Sequence, residues 1–484
     1  MNFAAGAGFT KGFEIMEATN SLRPFFEPRE IVVVGATRTP GFGYGIPIML
    51  QQQGWGDRLY LVNRSGGEMH GMKVFERVAD VPGDPDLAIS VVPAHAVPEV
   101  LSEIGERGIT HVIIESAGFA EAGDKGKAIQ KEAQTVARKY GLRVMGPNCV
   151  GVINTENRFT SVETIEESLS PGNIGIIAQS GVFGTVLVDS LPGRGAMLSK
   201  VMTLGNRMDV DECDALEYLH KDPATRVIIM YMEGVGENTR IREVLGKVTR
   251  DKPVLILKSG RTSVGRAATA SHTGSMSGED ALYDALFAQT GAVRANSLEE
   301  LVEMARVFAT QPLPKGNRLG IITSSGSLSA LATDVAVSSG LILPALSQTT
   351  VDKVMEKAPL WMSAKNPLDV GPSDQYVKAL PLLIKDPGID MVVAITIVPF
   401  SVLQKCRHLG LTAESLYGDI AALHASIPYK PLLICAVGHR DYLDHLAEIS
   451  GPEVPVIASP ETAAVTLAAL WRYSIWKKNF EPTV

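Results

Sequence analysis

The chain has 484 residues, 45% hydrophobic and 20% charged, which leaves room for several buried cores and excludes a disordered polymer. Lys plus Arg number 45 against 53 Asp plus Glu, a formal net charge of -8, so the broad basic field that nucleic acid or an anionic membrane requires is absent. The 46 glycines and the 6% aromatic content suit an α/β protein with many tight strand-to-helix turns.

The first 22 residues form an N-terminal extension without the basic start and sustained apolar core of a signal peptide. Apolar runs such as Met391–Val398 have the length of strands, far short of a membrane span. Cys149, Cys213, Cys406 and Cys435 make no CxxC pair and no metal-ligand spacing, so the chain reads as a cytoplasmic protein with reduced thiols and no metal site.

Ile31–Val34 is an apolar run ending at Gly35, the pattern of a parallel strand buried on both faces. Similar runs at Leu59–Val62, Leu87–Val92, Val112–Glu115 and Leu142–Met145 alternate with helical patterns such as Ala96–Arg107 and Lys125–Tyr140. This alternation predicts a doubly wound domain over residues 23–150. A polar stretch near 155–170 reads as a linker. A second series then covers 165–310, with strands Ile174–Ala178, Lys200–Thr203, Val227–Met232 and Val254–Lys258. A third covers 316–484, with strands Leu319–Thr323, Met391–Ile397, Leu432–Ala436 and Val456–Ala458.

The second and third series echo each other. Gly172–Gly181 and Gly316–Gly326 each run an apolar strand into Ser-Gly and then a helix, at Ser180-Gly181 and at Ser325-Gly326. The bland reading is two ordinary parallel-sheet turns. Taken together they indicate duplicated flavodoxin-like domains, each offering a bare helix start to a phosphate.

The turn after the first strand, Gly35–Gly45, contains Thr37, Arg38 and Gly41, and lets backbone amides approach a pyrophosphate. It does not spell G-x-G-x-x-G. The second strand ends in Asn63-Arg64 instead of the acid that a dinucleotide ribose requires, and Arg64 tolerates a phosphorylated ribose as in CoA or NADP.

Residues Arg261–Gly278 carry His272 directly after the strand Val254–Lys258, where α/β proteins place ligand sites. Thirteen of these eighteen residues are Gly, Ala, Ser or Thr, which predicts a mobile loop. A lone histidine in a polar loop is usually only solvated. A neutral imidazole is also a good phosphoryl acceptor, given a partner on its other ring nitrogen and a phosphate cradle. Glu233, ending the strand Val227–Met232, is the candidate partner, with a solvated loop carboxylate as the bland alternative.

Val34–Gly41, Val91–Ala94, Ser116–Glu121, Met145–Cys149, Gln179–Gly181, Met232–Gly234, Ala270–Gly274 and Asn366–Asp369 stand in one order across nearly the whole chain. In this the chain resembles the α subunit of NDP-forming (ADP-forming) acyl-CoA synthetases, relatives of succinyl-CoA synthetase. The resemblance implies a CoA-binding Rossmann-like domain followed by two flavodoxin-like domains. It implies that His272 is phosphorylated with Glu233 in support, and that Thr37, Arg38, Pro93 and Asn148 lie in or near the CoA site. It further implies that the Ser180 and Ser325 helices face the phosphohistidine. The implied ligase reaction interconverts acyl-CoA, phosphate and ADP with a carboxylic acid, CoA and ATP. No segment reads as an ATP-grasp domain, so ATP/ADP and Mg²⁺ are expected on a separate ATP-grasp β subunit in an α₂β₂-like hetero-oligomer. Where the family often has proline and lysine after the second-strand asparagine, this chain has Arg64-Ser65. Three rival readings stand beside it: a non-catalytic CoA-binding regulatory protein, an NADP-dependent oxidoreductase, and a phosphohistidine enzyme acting on another acid such as citrate.

Overall fold

The computed structural model describes residues 22–41, 43–163, 169–236, 240–273, 279–356, 358–371, 373–397, 401, 404, 405, 408 and 418–480, with backbone alone for 270–273. Two compact units are present, Met1–Arg294 and Ala295–Val484.

The first unit holds two sheets. One contains β1 (Ile31–Val34), β2 (Leu59–Val62), β3 (Gly67–Met69), β4 (Met72–Phe75), β5 (Leu87–Ser90), β6 (His111–Ile114) and β7 (Arg143–Met145), in the order β3-β4-β2-β1-β5-β6-β7. Only β3 runs antiparallel, to β4. β1, with all four side chains buried, lies between β2 and β5, so the strand order reverses there. Ligands of open α/β sheets bind beyond the carboxyl ends of the strands at such a point.

The second sheet contains β8 (Val152–Asn154), β9 (Phe159–Thr160), β10 (Ile174–Ala178), β11 (Leu198–Thr203), β12 (Val227–Met232), β13 (Val254–Lys258) and β14 (Val293–Ala295), ordered β14-β13-β12-β10-β11-β8-β9. Its parallel core β11-β10-β12-β13 has the flavodoxin-like order, reversing at β10. β8 and β9 form an antiparallel edge, and β9 falls in the stretch near 155–170 where a polar linker was expected. That stretch is buried at Thr155, Thr160 and Ser161 because its hydroxyls find partners. Thr155 Oγ1 donates to the Leu198 carbonyl at 2.7 Å, and Ser161 Oγ accepts the Val152 amide at 2.9 Å.

The two sheets share one apolar core, with Ile31, Ile89 and Met145 from the first and Ile177, Met202 and Met230 from the second. Each such fully buried side chain contributes roughly 1.5–3 kcal/mol. Arg143, 13% exposed, adds ion pairs to Asp209 (2.8 Å) and Asp214 (3.0 Å) across the junction. Local sequence sets the helix ends. Asp211 caps Glu212–Lys221 by accepting the Cys213 and Asp214 amides, and Asp124–Tyr140 stops at Gly141 in the left-handed region.

The second unit holds β15 (Leu319–Thr323), β16 (Leu368–Asp369), β17 (Met391–Thr396), β18 (Leu432–Ala436) and β19 (Val456–Ile457), ordered β16-β15-β17-β18-β19 and all parallel. This is again the flavodoxin-like order, reversing at β15. The helix Leu298–Thr310, which the sequence reading put with the middle domain, packs here against Pro460–Lys478. Among the described residues no helix is long and apolar enough to cross a membrane.

Candidate functional site

At the reversal of the first sheet, Gly35 has φ +93°, and a Cβ there would lie 2.7 Å from Val92 Cγ1 and 3.0 Å from the Val92 amide. Only glycine lets the end of β1 lie this close to the end of β5, where Pro93 follows. Thr37 Oγ1 accepts the Thr39 amide at 3.2 Å, and Gly41 lies further along the same turn. Asn63 Nδ2 donates to the Ala36 carbonyl at 2.9 Å, and its Oδ1 accepts from Ser65, so this side chain braces the turn from below. Arg38 donates to the Glu68 carbonyl (3.1 Å), Ser65 Oγ (3.0 Å) and the Gly66 carbonyl, tying the loop after β2 to the turn after β1. Arg64 pairs with Glu99 at 2.7 Å, both well exposed. Asn148 holds φ 60° in the loop after β7, and its amide donates to the Ser116 carbonyl at 2.9 Å. These residues all follow the carboxyl ends of strands of the first sheet, with the Arg38 guanidinium turned to the loop after β2 and that of Arg64 to Glu99.

Burial dominates below these strand ends. The Glu115 carboxyl, directly after β6, is 5% exposed with an Oε1 that has no hydrogen-bond partner. Desolvation pushes it well above the usual carboxylate range, Glu163 adds to that, and the Ser161 hydroxyl offsets part. Burial also drives the neighbouring Cys149 thiol far upward, with Glu115 adding, as for a thiol packed in the core.

At the reversal of the second sheet, Ser180 caps the helix Gly181–Ser190 through Oγ, which accepts the Phe183 amide at 3.4 Å. Gly181 lies against Val150; a Cβ would stand 2.9 Å from Val150 Cγ1, so the helix start abuts the loop that carries Asn148. Glu233 follows β12 and is 3% exposed, so it is not the solvated loop carboxylate of the bland reading. Tyr231 stacks on Phe183 at 3.9 Å between centroids. Its hydroxyl is raised chiefly by burial, with Glu233 adding and Ser259 opposing.

Lys258, at the end of β13, is 2% exposed. Its Nζ donates to the Ser259 carbonyl and lies 4.5 Å from the Tyr283 ring centroid. Burial lowers it to about 8, while Asp280 and Glu233 pull the other way. The sequence reading passed over it, although a lysine closing an otherwise apolar strand was the available signal. Gln179 figures there only as part of Gln179–Gly181, without a role, and Arg207 and Glu212 not at all; the polar contacts of these three surround the Glu233 backbone.

His272 lies on a helix, Ser263–Thr273, where a loop was expected. Alanine is the best helix former: Ala267 and Ala268 favour the helix, and Thr262 Oγ1 accepts the Gly265 amide at 3.0 Å at its start. The helix packs against the turn Ala120–Ala122 of the first sheet's edge. The His272 side chain and residues 274–278 lie outside the described residues.

In the second unit, Ser325 precedes the helix Gly326–Ser338, and its Oγ lies 3.1 Å from Ser327 Oγ. The Ile397 amide donates to Ser324 Oγ at 3.2 Å, as the Glu233 amide donates to Gln179. Ile397 therefore stands where the first repeat has its carboxylate.

Two family models match the chain: a CoA binding domain over residues 29–155 and a succinyl-CoA ligase like flavodoxin domain over 171–308. The acetate–CoA ligase [ADP-forming] II subunit alpha of Pyrococcus furiosus is 37% identical over 453 residues, covering 92% of this chain and 96% of that one. The acetate–CoA ligase [ADP-forming] II of Archaeoglobus fulgidus is 35% identical over 464 residues, 94% of this chain and 67% of its own length. A dinucleotide forming acetyl-coenzyme A synthetase 1 of Ca. Korarchaeum cryptofilum, solved with phosphate and ADP, superposes with a TM-score of 0.85 at 27% identity, covering 96% of this chain and all of that one.

Proposed function

The chain belongs to the ADP-forming acetate–CoA ligase family, and we propose that it is the CoA-binding, phosphohistidine-bearing subunit of an acyl-CoA synthetase. The observation that carries this reading is the buried Glu233 at the reversal of the second sheet, beside the Ser180-Gly181 helix start, on the strand next to the one leading to His272.

In this reading residues 1–22 are an extension, 23–150 bind CoA, 165–310 carry the phosphohistidine, and 316–484 are the second flavodoxin-like domain. Gly35, Thr37, Arg38, Gly41, Asn63, Arg64, Pro93 and Asn148 build the CoA edge. Phosphate attacks the thioester carbonyl; the C–S bond breaks and CoA leaves as the thiol after gaining a proton. A His272 ring nitrogen then takes the phosphoryl group from the acyl phosphate, the P–O bond breaks, and the carboxylate departs. ADP finally takes the phosphoryl group, restoring neutral His272 and giving ATP. Glu233 holds the imidazole tautomer and balances its positive charge. The helix start at Ser180-Gly181 directs amide dipoles at phosphoryl oxygens, which is where catalysis of this type gains most, and Ser325-Gly326 is the matching phosphate-binding helix start of the second flavodoxin-like domain. A separate ATP-grasp subunit supplies the nucleotide site and Mg²⁺ in an α₂β₂-like cytoplasmic assembly. A non-catalytic CoA-binding protein or an NADP-dependent oxidoreductase would leave the buried Glu233 without a purpose.

The test uses γ-labelled ATP, Mg²⁺ and the ATP-grasp partner with wild type and His272→Ala. Acid-labile, alkali-stable label on wild type, absent from the variant and discharged by CoA plus an acceptable acid, is the expected result. Equal label on both chains would overturn the assignment of His272.

A further inference from the structure

β12 ends at Met232, so the buried backbone of Glu233 and Gly234 needs hydrogen-bond partners from outside the ladder. One side chain supplies most of them. Gln179 Oε1 accepts the Glu233 amide at 2.6 Å and the Gly234 amide at 3.1 Å, while its Nε2 donates to the Gly234 carbonyl at 2.8 Å. Arg207 Nη1 donates to the same carbonyl at 3.0 Å. Glu212, 2% exposed, accepts from Arg207 Nη1 at 3.0 Å and from Gln179 Nε2 at 3.4 Å.

The arrangement has one solution. The Glu212 carboxylate and the Gly234 carbonyl are both acceptors, so the Gln179 amide must turn its nitrogen toward them. Its oxygen then faces the two backbone amides. Arg207 reaches its place from a left-handed backbone, φ 55°, which a non-glycine residue holds only where its surroundings demand it. The preceding Asn206 Nδ2 donates to Glu121 Oε2 at 2.5 Å and Asn148 Nδ2 donates to Asn206 Oδ1 at 3.4 Å, which anchors this loop on the first sheet's ligand edge.

We propose that Gln179 is a positioning residue for the Glu233 carboxylate, with Glu212 and Arg207 locking the Gln179 amide in its working orientation. The proposal rests on the reading of Glu233 as the partner of His272. A bond from this strand-end position to the amide after the third strand is generic to the fold, since Ser324 makes it to Ile397 in the second repeat. The second amide contact, the donation to a carbonyl and the half-buried Arg–Glu lock accompany the Gln179 of the repeat that carries the carboxylate.

The experiment compares wild type, Gln179→Met and Gln179→Glu as full chains with the ATP-grasp partner. It measures acid-labile labelling from γ-labelled ATP between pH 5 and 7, CoA affinity by titration calorimetry, and amide exchange of the 231–236 peptide. Methionine keeps the length and removes both halves of the clamp. Labelling should slow roughly 100-fold, the scale of a small misplacement of a reacting group, with CoA affinity unchanged and faster exchange at Glu233 and Gly234. The introduced carboxyl of Gln179→Glu imitates the amide only when protonated. Its labelling rate relative to wild type should therefore recover as pH falls toward 5, whereas that of Gln179→Met should not. A folded Gln179→Met chain that labels at the wild-type rate, or whose 231–236 peptide exchanges no faster, overturns the proposal. So does the absence of pH recovery in Gln179→Glu. A wild-type chain that takes no label sinks the His272 reading instead, and the exchange comparison still decides the clamp.

Discussion

Replacing Glu115 with glutamine should make the chain more stable at neutral pH and no more stable in acid. The carboxyl is buried with an unpartnered Oε1, and desolvation, then Glu163, hold its folded-state pKa well above the ordinary 4.5. In the unfolded chain the proton leaves near 4.5; in the folded chain it is held to higher pH. Above 4.5 the folded state thus binds more protons than the unfolded state, and stability falls as pH rises. The limiting slope is about 1.4 kcal/mol for each pH unit over which the folded carboxyl still holds its proton. Glutamine has the same shape and no charge to desolvate, so this slope disappears from the variant. Urea denaturation of wild type and Glu115→Gln at half-unit steps from pH 4.5 to 7.5 gives the difference directly, since all other titrations are common to both. The two free energies should meet near pH 4.5 and diverge upward, with the variant the more stable. Adding Glu163→Gln to the wild-type chain should narrow the divergence, because it removes the second cause of the shift. Parallel curves across the range would refute the reasoning, by showing that the folded site ionises Glu115 as easily as water does.

Two further outcomes follow from single positions. Gly35→Ala should cost roughly 2–4 kcal/mol, from a Cβ at positive φ and its clash with Val92, and should abolish CoA binding measured by calorimetry. A stability change below about 0.5 kcal/mol, the size of a neutral surface substitution, would mean that the two strand ends need not lie so close. Lys258→Met should raise the urea midpoint at pH 7, where wild type carries a buried ammonium. The advantage should shrink above pH 8, because the folded lysine loses its proton near 8 while the unfolded one keeps it to 10.5, so wild type gains stability with rising pH. A difference independent of pH would count against the shifted lysine.

The sequence by itself determined the class of fold and most strands of its three sheets. Runs such as Ile31–Val34 and Val227–Met232 are apolar throughout because both faces of a parallel strand are covered. It also pointed to Ser180-Gly181, Ser325-Gly326, Glu233 and the Gly35 turn, since these residues sit where strand passes to helix and chain order alone marks that place. The short edge strands β3, β8 and β9 escaped it, because their burial depends on a neighbour distant in the chain. The helix Ser263–Thr273 escaped it for another reason: small residues were read for the surface they fail to bury rather than for their helix propensity. What only the tertiary structure decided is the environment of each polar group. The Glu115 carboxyl is pushed up because burial removes its water, and Glu233 is held because Gln179, 54 positions away, closes on its backbone. Hydrogen bonding and desolvation act through space, and spacing along the chain carries neither.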